Sequence, residues 1–319
     1  MKAITESQLW KKRLGDWVLN PYIGCEHGCY HCYCPAMPGV KFFNEERKQT
    51  EWGNYLIPKP GFVDALKQQL RTFTPDKAKR TEWGDGWLLM SFLTDCYTPT
   101  EGKLKVTREC LKLLLEAGHK VRVQTRSALV ERDFDILKAH GDRVLLGTSL
   151  PYLDDDLARV LEPKASSPSR RLVMLYRAES VGIPIYAAIA PFMPWPEAIL
   201  HLGAVAKKLR EIPVKQVFCE VLNPKGDNLS MMVNALLDAG YSRDVLTTAL
   251  KNYDEQRWAL CTYRLLTLGI DIHIPNFIPW PDTQRRWAKH LSPEQVAWLD
   301  QFLPAKNNAK PEIPSGGSR

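Results

Sequence analysis

The chain has 319 residues, 45% of them hydrophobic and 25% charged, with a net charge of +7 at pH 7. These ordinary globular values exclude a disordered or fibrous chain, and no apolar run approaches the ~20 residues of a helical membrane span. Eight cysteines in a chain this long, three of them clustered, fit a reduced cytoplasmic protein with a metal site rather than a disulfide framework.

Residues 1–17 read as an N-terminal arm without the apolar core of a signal peptide. Lys11, Lys12 and Arg13 stand beside Trp10 and Trp17. They form either a basic, aromatic edge for a phosphate backbone or a solvated arm that packs its tryptophans. Val18-Leu19 is a short strand leading to Asn20-Pro21-Tyr22 and a cysteine-rich loop. From there to about Gly61 the Gly and Pro punctuation is too irregular for a long helix. Phe62–Arg71 has helical spacing. Apolar runs at Gly86–Phe92, Lys120–Thr125, Arg143–Ser149, Pro184–Ala190 and Val214–Val221 then alternate with helical patterns. Those patterns are Val106–Ala117, Asp133–Ala139, Arg170–Val181 and Pro196–Arg210. Strands separated by helices imply parallel pairing with right-handed crossovers. With Val18-Leu19 the strands number six, which suits an α/β partial (β/α)6 TIM-type barrel over residues 18–225, although a doubly wound sheet has the same periodicity. Residues 226–304 read as a C-terminal helical extension on the barrel, with helices near Leu229–Ala239 and Asp254–Leu268 and a short strand at Ile272–Ile274. Residues 305–319, rich in Pro, Asn, Lys, Gly and Ser, read as a disordered tail.

The loop Cys25-Glu26-His27-Gly28-Cys29-Tyr30-His31-Cys32 concentrates the chemistry. Thiolates are the usual ligands of iron–sulfur clusters. Three of them on a [4Fe–4S] cube leave one iron open, and an open position separates a reactive site from a structural one. A structural zinc site needs a fourth ligand, and Cys96, Cys110, Cys219 and Cys261 are too scattered to form a second knuckle. A ferredoxin-type centre could use Cys34, though the Cys32-x-Cys34 spacing is awkward for it. His27 is read as facing solvent or standing behind the ligands, since as a ligand it would close the site.

The C-x3-C-x2-C spacing resembles that of radical S-adenosylmethionine (SAM) enzymes. Several further stretches resemble the spore photoproduct lyase-like members of that superfamily: Asn20-Pro-Tyr-Ile-Gly-Cys25, Leu93-Thr-Asp-Cys-Tyr-Thr-Pro99, Gln124-Thr-Arg-Ser127, Leu161-Glu-Pro-Lys-Ala-Ser-Ser-Pro-Ser-Arg-Arg171, and Gly182-Ile-Pro184 with Ala190-Pro191. The resemblance runs from about residue 18 to about residue 195. It implies a partial TIM barrel, a [4Fe–4S] cluster on Cys25, Cys29 and Cys32, bound SAM, and a 5′-deoxyadenosyl radical that takes hydrogen from a substrate. It also implies an external electron donor of flavodoxin or ferredoxin type, and a DNA or nucleotide-base substrate, most of all a thymine-type base.

The same resemblance assigns individual roles. His31 and Tyr33 flank the last ligand, where the backbone of the first faces the SAM adenine and the ring of the second stacks on SAM or borders the radical path. For the His31 ring, plain packing is the expectation. Thr94 and Asp95, past the Gly86–Phe92 strand, suit the SAM amino group, Arg126 suits its carboxylate, and Ser149 its ribose or methionine part. Cys96, Cys34 and Tyr33 are candidates for passing a hydrogen atom. Cys96 does not align with the lyase's own hydrogen-donor cysteine, which turns the expectation from lesion repair toward base modification or rearrangement. Trp52, Tyr55, Lys59, Arg170 and Arg171 are candidate nucleic-acid contacts. A radical SAM enzyme acting on a small molecule or peptide, and a non-catalytic metal-cluster protein that binds nucleic acid, are the alternatives.

Overall fold

Short apolar runs bounded by Gly, Pro and polar residues become the strands of one large sheet. The computed structural model describes residues 1–47, 51–78, 86–192, 198–243, 263, 267, 277–279 and 289–300. The strands in chain order are β1 (Ile4–Glu6), β2 (Trp17–Leu19), β3 (Tyr22–Gly24), β4 (Leu56–Pro58), β5 (Trp87–Met90), β6 (Lys120–Gln124), β7 (Val144–Ser149), β8 (Ile185–Phe192), β9 (Val217–Val221) and β10 (Phe277–Pro279). The sheet order is β1-β2-β5-β6-β7-β8-β9-β10. From β2 to β10 every neighbouring pair is parallel, and β1 adds an antiparallel edge with Ile4 opposite Leu19. All six residues of β7 are buried, as expected of a parallel strand covered on both faces, and this is why these strands read as continuous apolar runs rather than alternating ones.

Helices fill the segments between and after the strands. They include α1 (Pro38–Arg47), α2 (Phe62–Leu70), α3 (Pro75–Ala78), α4 (Pro99–Leu104), α5 (Val106–Glu116), α6 (Phe134–Ala139), α7 (Asp155–Leu161), α8 (Pro168–Ser180), α9 (Ala198–Leu209), α10 (Asn228–Asp238) and α11 (Pro293–Asp300). Helix α5 buries Cys110, Leu111, Leu114 and Leu115 on one stripe, the spacing of an amphipathic helix packed on a sheet. Ser167 caps α8 by accepting from the Arg170 N–H, with Pro168 in the first turn. Cys110 and Cys219 are core residues, as expected from their patterns. Cys261, most of the expected helix Asp254–Leu268, the strand Ile272–Ile274 and the tail 305–319 lie outside the described residues.

Three features depart from the sequence reading. The stretch after the cysteines contains a ten-residue helix, α1, and a hairpin in which β4 pairs antiparallel with β3, Tyr22 opposite Pro58. Proline is accepted in the first turn of a helix, where its missing N–H goes unused, so Pro38 starts α1 rather than preventing it. The C-terminal strand that the structure describes is β10, Phe277–Pro279, a few residues past the expected Ile272–Ile274, and it extends the sheet beside β9. The N-terminal arm is folded onto the body. Gln69 Oε1 accepts from the Ala3 and Ile4 N–H groups at 3.0 and 2.9 Å, and a 3-10 turn, Gln8–Lys12, is capped by Ser7. Leu9 and Leu14 pack with Leu89, Tyr186, Ala188 and Phe218 in a second, smaller core cluster.

Candidate active site

In a parallel sheet every strand ends at the same edge, so the loops beyond those ends bring distant residues together. Here the ends of β5 to β9 and the loop after β3 enclose one cleft of about 1160 Å³ counted out to its open mouth. Cys25, Cys29 and Cys32 all line it. Their loop is shaped by its glycines. Gly28 has φ +63°, and the Cys32 N–H donates to the Cys29 carbonyl at 3.1 Å. Gly53 passes so close that a Cβ there would meet Gly28 Cα at 2.5 Å. The 51–54 loop therefore lies against the cysteine loop and brings Trp52 to the cleft.

Two buried carboxylates fasten this loop to the sheet. Asp95 Oδ2 lies 3.1 Å from His27 Nε2 and accepts the Arg126 N–H at 2.7 Å. Its Oδ1 accepts from the Tyr97 N–H at 2.9 Å and the Thr125 hydroxyl at 2.7 Å. Burial alone would raise this carboxyl, but the His27 ring and these donors hold it down at about 2. The second carboxylate is Glu162, fully buried after α7. It meets His31 Nε2 at 3.1 Å, the Tyr152 hydroxyl at 3.0 Å and Arg171 Nη2 at 2.6 Å, with Arg126 Nε 3.4 Å away. Burial opposes its ionisation, yet Arg171, Arg126 and His31 keep it well below the usual carboxylate range. Glu26 adds a third tie by accepting the N–H and hydroxyl of Thr100 at 2.8 and 2.7 Å.

The expected site residues distribute unevenly around this frame. Arg126 lines the cleft and donates through Nη2 to the Ala190 carbonyl at 2.9 Å. Thr94 lines it too, its hydroxyl donating to the Gly24 carbonyl just before Cys25. Ser149 accepts from Gln124 Nε2 at 3.0 Å. Tyr33 packs against Phe92 with ring centroids 5.9 Å apart. Burial pushes its phenol up, and the nearby Cys34, Glu220 and Cys32 add to this. Cys34 shares the cleft with Cys32 because Cys34–Ala36 coils into a 3-10 turn, and its thiol faces the Phe92 carbonyl at 3.8 Å.

Other expectations need correction. Cys96 is not at the cleft. Asp95 turns toward it, and the next side chain points the other way into the core, where the Cys96 thiol faces the Met90 carbonyl at 3.7 Å. His31 is more than a packing ring, since it bonds Glu162. Its carbonyl accepts from Asn228 Nδ2 at 3.1 Å. Arg171 is unavailable to a phosphate because it is buried against Glu162 and donates to the Ser149 carbonyl at 2.7 Å. Arg170 is held by both oxygens of Glu131 at 2.7 and 2.6 Å. Tyr55 donates to Asn44, and Lys59 sits 5.7 Å over the Phe62 ring. Glu220, which lines the cleft and pairs with Lys12, and Glu162, which lies behind it, have roles that the sequence reading did not assign. A carboxylate inside the apolar run Val217–Val221 was the available signal for Glu220.

The donor set suits an iron–sulfur centre. Burial is the largest influence raising the Cys25 and Cys29 thiols, and a hydrogen bond with Cys34 followed by burial raises Cys32. Arg126 acts in the opposite sense on Cys29 and Cys32. Buried thiols of this kind become thiolates when a metal centre supplies the positive charge. Among the described residues no group of three or more His, Cys, Asp or Glu is placed to hold a single metal ion.

No protein-family model matches the sequence. An uncharacterized protein of Acidianus two-tailed virus, ORF301, is 34% identical over 235 residues, covering 70% of this chain and 73% of the viral protein. An uncharacterized protein of Methanocaldococcus jannaschii is 29% identical over 178 residues, covering 56% of this chain and 61% of its own length. Among solved structures, a variant of spore photoproduct lyase superposes with a TM-score of 0.61 at 11% identity, over 88% of this chain and 79% of the lyase. Another variant of the lyase, with bound AdoMet and dinucleoside spore photoproduct, gives 0.57 at 11% identity over 86% and 80%. Streptococcus suis SuiB bound to precursor peptide SuiA gives 0.50 at 14% identity over 82% and 48%. The chain belongs to the family of the Acidianus two-tailed virus protein, and its fold is that of spore photoproduct lyase.

Proposed function

We propose that the chain is a radical SAM enzyme that acts on a thymine-type base in DNA, by modification, rearrangement or photoproduct lyase-like repair. The observation that carries this reading is that the three thiols of the C-x3-C-x2-C loop line one cleft with Arg126, Thr94 and Ser149, at the carboxyl edge of the parallel sheet. In this reading residues 18–225 act as a partial barrel, and Cys25, Cys29 and Cys32 hold a [4Fe–4S] cluster. When bound, the cluster and SAM supply a reductive cleavage to methionine and a 5′-deoxyadenosyl radical that takes a hydrogen atom from the substrate.

The chain's own side chains bind and orient. Arg126 is a fixed cation for the SAM carboxylate, with a planar fork suited to it. Its orientation comes from Glu162 and the Ala190 carbonyl. Thr94 and Ser149 offer hydroxyl lone pairs near the amino and ribose parts. Asp95 acts from behind, because its oxygens already accept from the protein. Tyr33 and Cys34 border the cleft where a hydrogen atom would be passed on, and Trp52 and Phe92 help to exclude water. An external flavodoxin- or ferredoxin-type protein delivers the electron.

Support for a base as substrate comes from the net charge of +7, and from the spore photoproduct lyase structure that carries a dinucleoside photoproduct. The test is anaerobic turnover with DNA containing fully deuterated thymidine, with and without ultraviolet treatment, read by mass spectrometry of SAM and 5′-deoxyadenosine. Deuterium in those products from untreated DNA identifies a base-modifying enzyme, and deuterium from irradiated DNA alone identifies a lyase. SAM cleavage without deuterium from either DNA overturns the base assignment.

A further inference from the structure

The polar groups of the cleft fall into two sets. Those beside the cysteines are committed to one another: Asp95 to His27, Thr125 and the Arg126 N–H, and Glu162 to His31, Arg126 and Arg171. A second stretch of wall is apolar, with Leu14, Leu89, Ala188, Val221 and Leu222, and one carboxylate, Glu220, lines the cleft beside it and acts on Tyr33. Side chains two apart on a strand share a face. Phe218 belongs to the smaller core cluster with Leu14, Leu89 and Tyr186, so Glu220, one pleat further along β9, reaches the cleft above it. Lys12, at the end of the N-terminal 3-10 turn, brings Nζ to 2.5 Å from Glu220 Oε1. The Oε2 atom has no hydrogen-bond partner among the described residues. The two side chains are 18% and 23% exposed, buried enough to matter and open enough to meet a ligand.

We propose that Lys12 and Glu220 are the specificity-determining pair of the cleft, taking the edge of a neutral lactam ring whose N–H donates to Glu220 and whose adjacent carbonyl accepts from Lys12. This rests on reading the site as a radical SAM centre that acts on a base. The charges of the pair cancel, so this wall offers no net charge to a phosphate or free carboxylate, while its apolar neighbours suit a planar ring. An acceptor beside a donor complements an N–H beside a C=O on one edge. A trans peptide unit points those groups in opposite directions, whereas the ring of thymine or uracil holds them side by side. The ring enters alone and its phosphates stay outside, as base chemistry in nucleic acid requires.

The test uses the full chain, reconstituted without oxygen and loaded with SAM, and titrated by ligand-observed NMR with thymidine and with N3-methylthymidine. The methyl removes the donor and leaves the carboxylate unpaired. Thymidine is expected to bind at least about tenfold more tightly than its N3-methyl analogue. Glu220→Gln should shrink that gap to under about threefold. Lys12→Met should weaken thymidine, and it stands in if the first variant does not fold. Both variants keep the change that SAM makes in the EPR spectrum of the reduced cluster. The proposal is overturned by equal binding of the two nucleosides, by no thymidine binding, by discrimination that survives Glu220→Gln, or by thymidine 5′-monophosphate binding about tenfold more tightly than thymidine. If SAM leaves the wild-type EPR spectrum unchanged, the radical SAM reading fails. If SAM changes it and the nucleosides are not distinguished, only the pair fails.

Discussion

The two walls of the cleft are built by opposite strategies. On the cysteine side, buried charges are numerous and paired with one another, although His27 Nε2, Arg126 Nε and Arg171 Nε make no hydrogen bond among the described residues. Asp95 and Glu162 between them tie the cysteine loop to β5, β6, α7 and α8 through His27, His31, Arg126 and Arg171. Along the other stretch, aliphatic side chains stand beside Glu220, which pairs with Lys12. A buried charge is costly unless every partner is present, so the first wall is a rigid frame in which each group depends on the others. The second carries fewer buried charges, so fewer groups there depend on one another. A frame suits a cofactor that must sit in one pose, and a sparsely committed wall suits a substrate that enters and leaves.

The contrast can be broken most severely at the ligands. Cys29→Ala is expected to abolish SAM cleavage and to lower the iron bound per chain well below the about four of an intact cube, checked by iron analysis and product assay. Next comes the frame itself. Glu162→Ala leaves Arg126 and Arg171 buried without their counter-charge and His31 without its hydrogen-bond partner, and should cost ~3–5 kcal/mol of stability. Lys12→Met on the other wall should cost no more than ~1 kcal/mol. Urea unfolding of the two variants side by side would sharpen the comparison, and equal losses would erase it.

A smaller effect is expected from acid. Asp95 is held at about 2 against an ordinary value of 3.8. Because the folded value lies below the unfolded one, its stabilisation is present above pH ~4 and is lost as the pH falls toward 2. Unfolding free energies measured from pH 5 down to 2 should show a slope that Asp95→Asn flattens, with ~2 kcal/mol at stake. The smallest effect belongs to Cys96→Ala. It should trim stability by ~1 kcal/mol through lost packing and leave the spectrum of the reduced cluster unchanged, because its thiol faces Met90 rather than the cleft.

Much of the fold was legible because parallel strands are buried on both faces and therefore appear as apolar runs. The expected Lys120–Thr125 and Arg143–Ser149 became β6, Lys120–Gln124, and β7, Val144–Ser149. The expected Val106–Ala117 became α5, Val106–Glu116. Pairs of three-residue strands carry too few positions to show a period, so β1 and the β3–β4 hairpin were invisible, and α1 was hidden behind Pro38 and Gly39. At the site, the cysteine loop, Arg126, Thr94 and Ser149 could be placed from strand ends. The role of Glu162 could not, because a buried carboxylate and an exposed one look alike until the tertiary fold supplies the arginines around it. Cys96 failed for a related reason. Beyond a strand end the alternation of side chains is set by the loop's own bonds, here those that turn Asp95 inward.

The most direct measurement is the EPR spectrum of the anaerobically reconstituted, reduced chain recorded with and without SAM. The expected result is a cluster signal that shifts on addition of SAM and does not form in Cys29→Ala. A fully assembled cluster whose signal ignores SAM, or a protein that binds only zinc at Cys25, Cys29 and Cys32, would contradict the radical SAM assignment.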